Sequence, residues 1–532
     1  MPVNLSVDNP ARRFIVQRLV GGLMKPLRKR ELLLSLKYCT IEGCFSVPML
    51  NLTLGNFPFV IGFAVTALGW GNTGVGLLAS LPFICLFLQP PVLLLLQRWF
   101  SLRQIMAGAF LANALPWLLV GTFPWLGPHR DWVFISISFV TTLANAVSGV
   151  AWSASMSELV PLGIRGKFFG TRNLAFGCWT LLVVLAAGKI VDYYGNSIRA
   201  FAAIFAAGTA ARLLGMYFFT RMQFPPSVTE RRPQSSPWQS FTAVFRDTNF
   251  LRLLLFTGLF GLCLYLGNPF YSVYVLKELP LTVGDLTLLT MLSTLGALVS
   301  LRAWGRLSDR FGNKPIMVTS ALLWLLGAGL SWLFSSPRHY AHLYLNYFHT
   351  GFMMAGFQQI GQFNLMIKMV PAENKAHYVS VYFSFTNLLI ALGPLLGSLI
   401  LRRLPADAGN LFGQPLTRYH VLIAGSLGLC LLTLHLLQLV REPAERSVRE
   451  LVLVMRNMRE FNPVLGLSAL AQFMFTPRGL SRLAHVSVRT LRRQTNVMSE
   501  VGEELVEGGL RAIREPLRAI GAAPETREDP PP

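Results

Sequence analysis

Twelve stretches of about 20 predominantly apolar residues recur along the chain, each long enough to cross the roughly 30 Å hydrocarbon core of a bilayer as a helix. They fall at 40–64, 75–96, 105–125, 132–156, 173–191, 200–220, 252–275, 284–303, 316–335, 342–367, 379–401 and 419–440. Only 14% of the 532 residues are charged, too few to cover several soluble globules. Disorder is excluded as well, because 38 Phe and 11 Trp demand burial. An integral, multi-pass membrane protein is the class that remains.

A net charge of +22 would suit a nucleic-acid binder, but its distribution points elsewhere. The side of the membrane that holds both termini carries 24 Lys and Arg in its loops, the opposite side only eight. Basic loops stay cytoplasmic, so both termini are expected there, in the inner membrane if the chain is bacterial, with no nucleic-acid partner. The six Cys sit in apolar runs without a CxxC pair, which reads as small buried hydrophobes and argues against a metal site. No secretory signal is expected, because the first apolar run is too long for one.

Polar breaks organise the chain. Residues 1–37 form a basic amphipathic segment suited to an anionic leaflet. Six spans occupy 38–220, a cytoplasmic linker with Pro225-Pro226 and Arg231-Arg232-Pro233 runs over 221–251, and six more spans occupy 252–440. The tail, 441–532, shows helix-period apolar positions at 447–461 and 479–520, expected to rest on lipid or to meet a cytoplasmic partner.

Three segments recur at an offset of about 210 residues. Leu54-Gly55-Asn56-Phe57-Pro58-Phe59 returns as Leu266-Gly267-Asn268-Pro269-Phe270, and Arg98 to Met106 returns as Asp309 to Met317. Val160-Pro161 with Arg165 and Phe168 returns as Val370-Pro371 with Lys375 and Tyr378. Ordered matches in corresponding loops imply two homologous halves, the build of many secondary transporters. The expected fold is an all-α membrane protein, twelve transmembrane helices as two pseudo-symmetric six-helix bundles, plus a cytoplasmic helical tail.

The run Gly305-Arg306-Leu307-Ser308-Asp309-Arg310-Phe311-Gly312-Asn313-Lys314 resembles the loop signature of the major facilitator superfamily between spans 8 and 9. Glu158-Leu159-Val160-Pro161 through Arg165-Gly166 and Gly170-Thr171-Arg172 resembles that family's span 4–5 loop. The span 2–3 copy is degenerate, and the family's Gly-Pro antiporter pattern is missing from span 5; Gly393-Pro394 with Gly397 stands in span 11 instead. The resemblance, covering about 40–440, implies a rocking transporter with a cavity walled by spans 1, 4, 7 and 10 and supported by span 6.

Ionisable groups in a bilayer need a reason. Glu42 in span 1 reads as a proton-coupling carboxylate or as the partner of a nearby Arg, and Arg212 in span 6 as an anion binder or, preferably, a structural counter-charge to Glu42 or Asp192. Asn145 and Trp152 in span 4, Asn268 and Tyr271 in span 7, and Gln358, Gln359 and Gln362 in span 10 are the expected solute-cavity residues, since amides at membrane depth need wet or bonded surroundings. Asn56, Pro58 and Pro269 mark helix breaks at an expected gate. The swapped loop charges Arg98 and Glu158 against Asp309 and Lys368, with Arg310 beside them, suggest a latch of two ion pairs. No Walker, H-E-x-x-H or G-x-S-x-G pattern occurs, so neither direct ATP drive nor an enzyme is expected, and no cofactor. The reading is a monomeric secondary transporter of a small organic solute, with proton coupling as an option. Efflux of hydrophobic compounds and a non-transporting receptor signalling through the tail are the alternatives.

Overall fold

The computed structural model describes residues 29–53, 58–229, 244–370, 375–411, 414–442 and 447–457. Contacts divide the chain into Met1–Asn462 and Pro463–Pro532, and the second unit, with the expected helix at 479–520, lies outside the described residues.

Span 1 is Lys29–Thr53, resumed by Pro58–Gly62 and a π-helical turn Phe63–Ala67. Spans 2 to 6 are Asn72–Gln97, Leu102–Leu126 (with a 3-10 stretch Leu115–Thr122), Arg130–Leu159, Leu162–Tyr193 and Ile198–Arg221. Spans 7 to 9 are Thr248–Lys277, Val283–Phe311 and Asn313–Leu333. Span 10 is His342–Met354, a π-helical segment Ala355–Gln362 and Phe363–Met369, and spans 11 and 12 are Lys375–Arg403 and Arg418–Gln438. Between the last two lies a short antiparallel hairpin, β1 (Asp407–Leu411) and β2 (Gln414–Thr417). Among the described residues nine helices are long and apolar enough to cross a membrane by length and composition; one, Leu102–Leu159, contains spans 3 and 4.

Local chemistry sets the ends. Ser101 with Gln104 and Thr282 with Asp285 form capping boxes that start spans 3 and 8, and Asp247 Oδ1 accepts the first N–H groups of span 7. Gly312, with φ +91°, makes the tight turn from span 8 to span 9 that a side chain would strain.

The packing repeats. In the N half span 1 lies on span 6, span 3 on span 4 and span 2 on span 4; in the C half span 7 lies on span 12, span 9 on span 10 and span 8 on span 10. The halves meet through span 2 on span 11 and span 5 on span 8, two seams that exchange under the same two-fold relation. Around this body Leu298, Val299, Leu326, Leu345, Leu399 and Leu432 are exposed, an apolar surface that only lipid satisfies.

Several expectations change. Span 5 begins at Leu162 rather than 173, so the stretch read as a span 4–5 loop is helical from there to Arg172. Pro269 lies buried inside one continuous helix, Thr248–Lys277, so no break forms at it, whereas Pro58 does begin a new helical segment. Asn56 lies outside the described residues. The start of the tail belongs to the C half: in the helix Val448–Asn457, Leu451 and Met455 pack with Trp304, Leu307, Phe311 and Ile316.

The latch residues are placed differently from expectation. Lys368 Nζ lies 3.0 Å from Glu442 Oε1, while Asp309, Arg310, Arg98 and Glu158 are exposed and Arg310 stacks on Phe311 at 5.3 Å. Glu442 is buried at the start of span 9, where it accepts from the backbone N–H of Asn313 (2.9 Å) and Lys314 (2.7 Å) and from Asn313 Nδ2 (2.8 Å). A carboxylate at a helix N-terminus meets the positive end of the helix dipole. Burial pushes the Glu442 pKa up, but the Lys314 and Asn313 N–H groups and Lys368 outweigh it and hold the carboxyl below its ordinary range. Its stabilisation is therefore present above the ordinary glutamate pKa and lost as pH falls through the depressed value. Glu442→Ala should lower the thermal midpoint in detergent at neutral pH and flatten the fall on acidification, and Lys368→Met should do so in part.

Candidate functional site

Both halves are hydrogen-bonded to each other at the end remote from the termini. Thr282 Oγ1 donates to Asp192 Oδ2 (2.8 Å), and the Gly284 N–H donates to the same carboxylate (3.1 Å). Lys277 Nζ donates to the Trp70 carbonyl (2.9 Å), and Tyr419 donates its hydroxyl hydrogen to Asn72 Oδ1 (2.9 Å). Spans 5 and 8 approach closely there: a Cβ on Gly188 would lie 2.6 Å from Thr287 Oγ1 and 3.0 Å from Gly284 Cα. Small residues let membrane helices touch along their backbones. The opposite end is marked by Ser35 Oγ on the Gln223 carbonyl (3.1 Å) and by Arg252 on Leu439 (3.2 Å), bonds within each half.

Beneath this clasp lies a cavity of about 350 Å³ between spans 1, 5 and 8. Span 5 lines it with Arg172, Phe176, Thr180 and Val184, a ladder at four-residue spacing on one helix face. Span 8 contributes Thr287, Thr290, Met291 and Thr294, and span 1 contributes Val47, Asn51 and Pro58. Arg172 is ten residues past the helix start at Leu162, about 15 Å along the axis. Its guanidinium lies between Trp152 (4.8 Å to the ring centroid) and Phe176 (4.3 Å) and is buried, with Nε lacking any hydrogen-bond partner among the described residues.

A second buried cation is neutralised. Arg212 Nη1 lies 3.2 Å from Glu42 Oε1, both side chains are buried, Ser46 Oγ donates to the same carboxylate, and Phe110 lies 3.9 Å from the guanidinium carbon. Removing one partner would strand the other charge.

A model of the Major Facilitator Superfamily matches the chain twice, over residues 44–279 and 254–486. The chain belongs to this family. Each match covers roughly one half, as the repeat requires, and the protein is an integral multi-pass membrane protein. An uncharacterized protein of Mycobacterium tuberculosis, Rv2209, is 26% identical over 270 residues, covering 49% of this chain and 51% of that protein. The uncharacterized MFS-type transporter YuxJ of Bacillus subtilis is 24% identical over 251 residues, 46% of this chain and 62% of that one. The chain thus spans about half the length of the mycobacterial relative it matches and less than two thirds of the Bacillus one. In fold it is similar to the crystallised nucleoside transporter NupG in a mutant form, with a TM-score of 0.60 at 15% identity over 77% of this chain and 100% of that one.

In this family member the expected cavity residues are dispersed. Pro58 lines the cavity directly, and Trp152 reaches it through Arg172. Asn145 is half-buried in span 4. Asn268 is exposed, and Tyr271 packs away into the C half, stacked on Trp332 at 4.4 Å. Gln358, Gln359 and Gln362 share the π-helical segment of span 10; the first two are exposed at membrane depth, and Gln362 donates to the Tyr382 hydroxyl (2.9 Å). Arg172 is hard to find in the sequence because the basic residues just before it make its stretch look like a loop. Its four-residue ladder with Phe176, Thr180 and Val184 is the available signal. Arg212→Met should cost about 3–5 kcal/mol of stability by leaving Glu42 buried alone, and adding Glu42→Met should restore most of it, as thermal unfolding of the purified variants would register.

Proposed function

We propose that the chain is a secondary transporter that moves a small organic solute by alternating access, its two six-helix halves rocking about the span 2–span 11 and span 5–span 8 seams. The observation that carries this reading is that one seam does two jobs: spans 5 and 8 bind the halves together at one end and wall a cavity directly below. Opening the clasp would expose that cavity to the far side. The Lys and Arg distribution makes the far side the outside, so the clasped form would be closed to the exterior. Gln358 and Gln359 on the span 10 π segment would face water inside the molecule, because bare amides in lipid are costly and π turns gather at functional sites. Glu42 is assigned to its ion pair with Arg212 and not to proton coupling. Moving a charge-bearing pair apart once per cycle would require a replacement partner for Arg212.

Asp192→Cys with Thr282→Cys, joined through two disulfides by a short bis-methanethiosulfonate, would hold the clasp shut. In proteoliposomes tested with radiolabelled uridine, alanyl-alanine, glucose, benzoate and tetraphenylphosphonium, at least one solute should show saturable counterflow that the cross-link abolishes and reductant restores. Truncation after Asn462 should leave that counterflow intact, which a receptor acting through its tail would not show. Absence of counterflow with all five, or flux indifferent to the cross-link, would overturn the proposal.

A further inference from the structure

We infer that the cavity between spans 1, 5 and 8 binds a small organic monoanion, its carboxylate held by Arg172 and its apolar body lying along Phe176, Leu181 and Met291. The inference deepens the transport reading and rests on it for the movement of the bound anion across the membrane.

Several observations converge on this chemistry. Arg172 is only 7% exposed, yet its Nε has no hydrogen-bond partner and no ion pair reaches the side chain among the described residues. Arginine stays charged at any physiological pH, and a charge at membrane depth needs a counter-charge. Trp152 and Phe176 hold the guanidinium as a stacked cation with Cys39 and Gly43 beside it, neighbours that supply no strong acceptor, so a planar, two-oxygen acceptor suits its hydrogen-bonding edge. The charge balance points the same way. Arg212 and Glu42 cancel at 3.2 Å, so among the described residues lining the cavity Arg172 contributes one unbalanced positive charge, which a monoanion neutralises and a dianion overshoots.

The rest of the lining sets the body of the ligand. Thr287, Thr290 and Thr294 each donate their hydroxyl hydrogen to a carbonyl of their own helix, at 2.6, 2.9 and 3.1 Å, so Arg172 is the strong donor facing the space. Thr180, two turns from Arg172 on the same face, carries a buried Oγ1 without a partner, a place for a second polar atom of the ligand. A volume of about 350 Å³ lies at the small end of the range for organic ligands, which is roughly 300–1,000 Å³.

The test compares acids with their uncharged amides on the purified full-length protein: butyrate, hexanoate, benzoate, phenylacetate and 3-phenylpropionate against the corresponding carboxamides, with phenyl phosphate as the dianion. Thermal midpoint against concentration is the readout, with counterflow of radiolabelled acid in proteoliposomes beside it. At least one acid should stabilise the wild type in a saturable manner, its amide and phenyl phosphate at least about tenfold more weakly. Arg172→Gln should erase the acid-over-amide preference, whereas Arg172→Lys should bind more weakly but keep it, a distinction that a purely structural arginine would not produce. Asn51→Asp, which leaves Arg172 in place and adds a carboxylate to the same cavity, should suppress the acid response. Equal responses to acids and amides, no response to any acid, or an unaltered preference in Arg172→Gln would each overturn the inference. Arg172-dependent binding without counterflow would leave the site standing and remove the transport reading. Counterflow of a neutral solute, untouched in Arg172→Gln, would do the reverse.

Discussion

Inside about 30 Å of hydrocarbon every polar atom has to find a partner within the protein, and most of the features specific to this molecule depend on where such partners exist and where they do not. Backbone groups are satisfied by the helices themselves. Threonine and serine hydroxyls turn back onto their own helices, as Ser80 does on Gly76 and Ser320 on Ile316. Glu42 and Arg212 satisfy one another across spans 1 and 6. Against this background Arg172 stands out, because aromatic rings cover its faces and, unlike Arg212, it has no carboxylate paired with it among the described residues.

The same constraint explains which parts of the structure are legible in the sequence. Length and apolarity reveal spans, and repeated Gly, Asn and Pro reveal two halves, because both are local properties of composition and order. The seams between halves are not legible in this way: only the structure shows that Gly188 and Gly284 sit where two backbones approach. Depth in the membrane is harder to read. Span 5 reads as starting eleven residues later than it does, since Arg165, Lys167 and Arg172 suggest a loop; the helix runs through them, and the third lies well inside. The loop charges mislead for a related reason. Asp309 and Lys368 are matched by the repeat, but Lys368 is engaged by Glu442, a residue beyond the repeat whose carboxylate also reaches the span 9 N–H groups. Periodicity gives Tyr271 a face but not its neighbour, and Trp332 is the neighbour on which it stacks.

The π-helical segments among the described residues fall in spans 1 and 10, at Phe63–Ala67 and Ala355–Gln362. A π turn displaces the side chains beyond it around the helix axis, so the residues on either side of such a turn do not share the face that simple α-periodicity assigns them. Within the span 10 segment Gln358 and Gln359 are exposed, whereas Gln362 is tied to Tyr382.

Glu442 has a mechanical corollary. Its one carboxylate fastens the chain leaving span 12 to the first turn of span 9 and, through Lys368, to the last turn of span 10. Three helices thereby share a rivet, and the short amphipathic helix beyond it is pressed onto spans 8 and 9. Under the rocking proposed above, this wedge would carry load as one piece, and bending would fall to the π-helical turns of span 10.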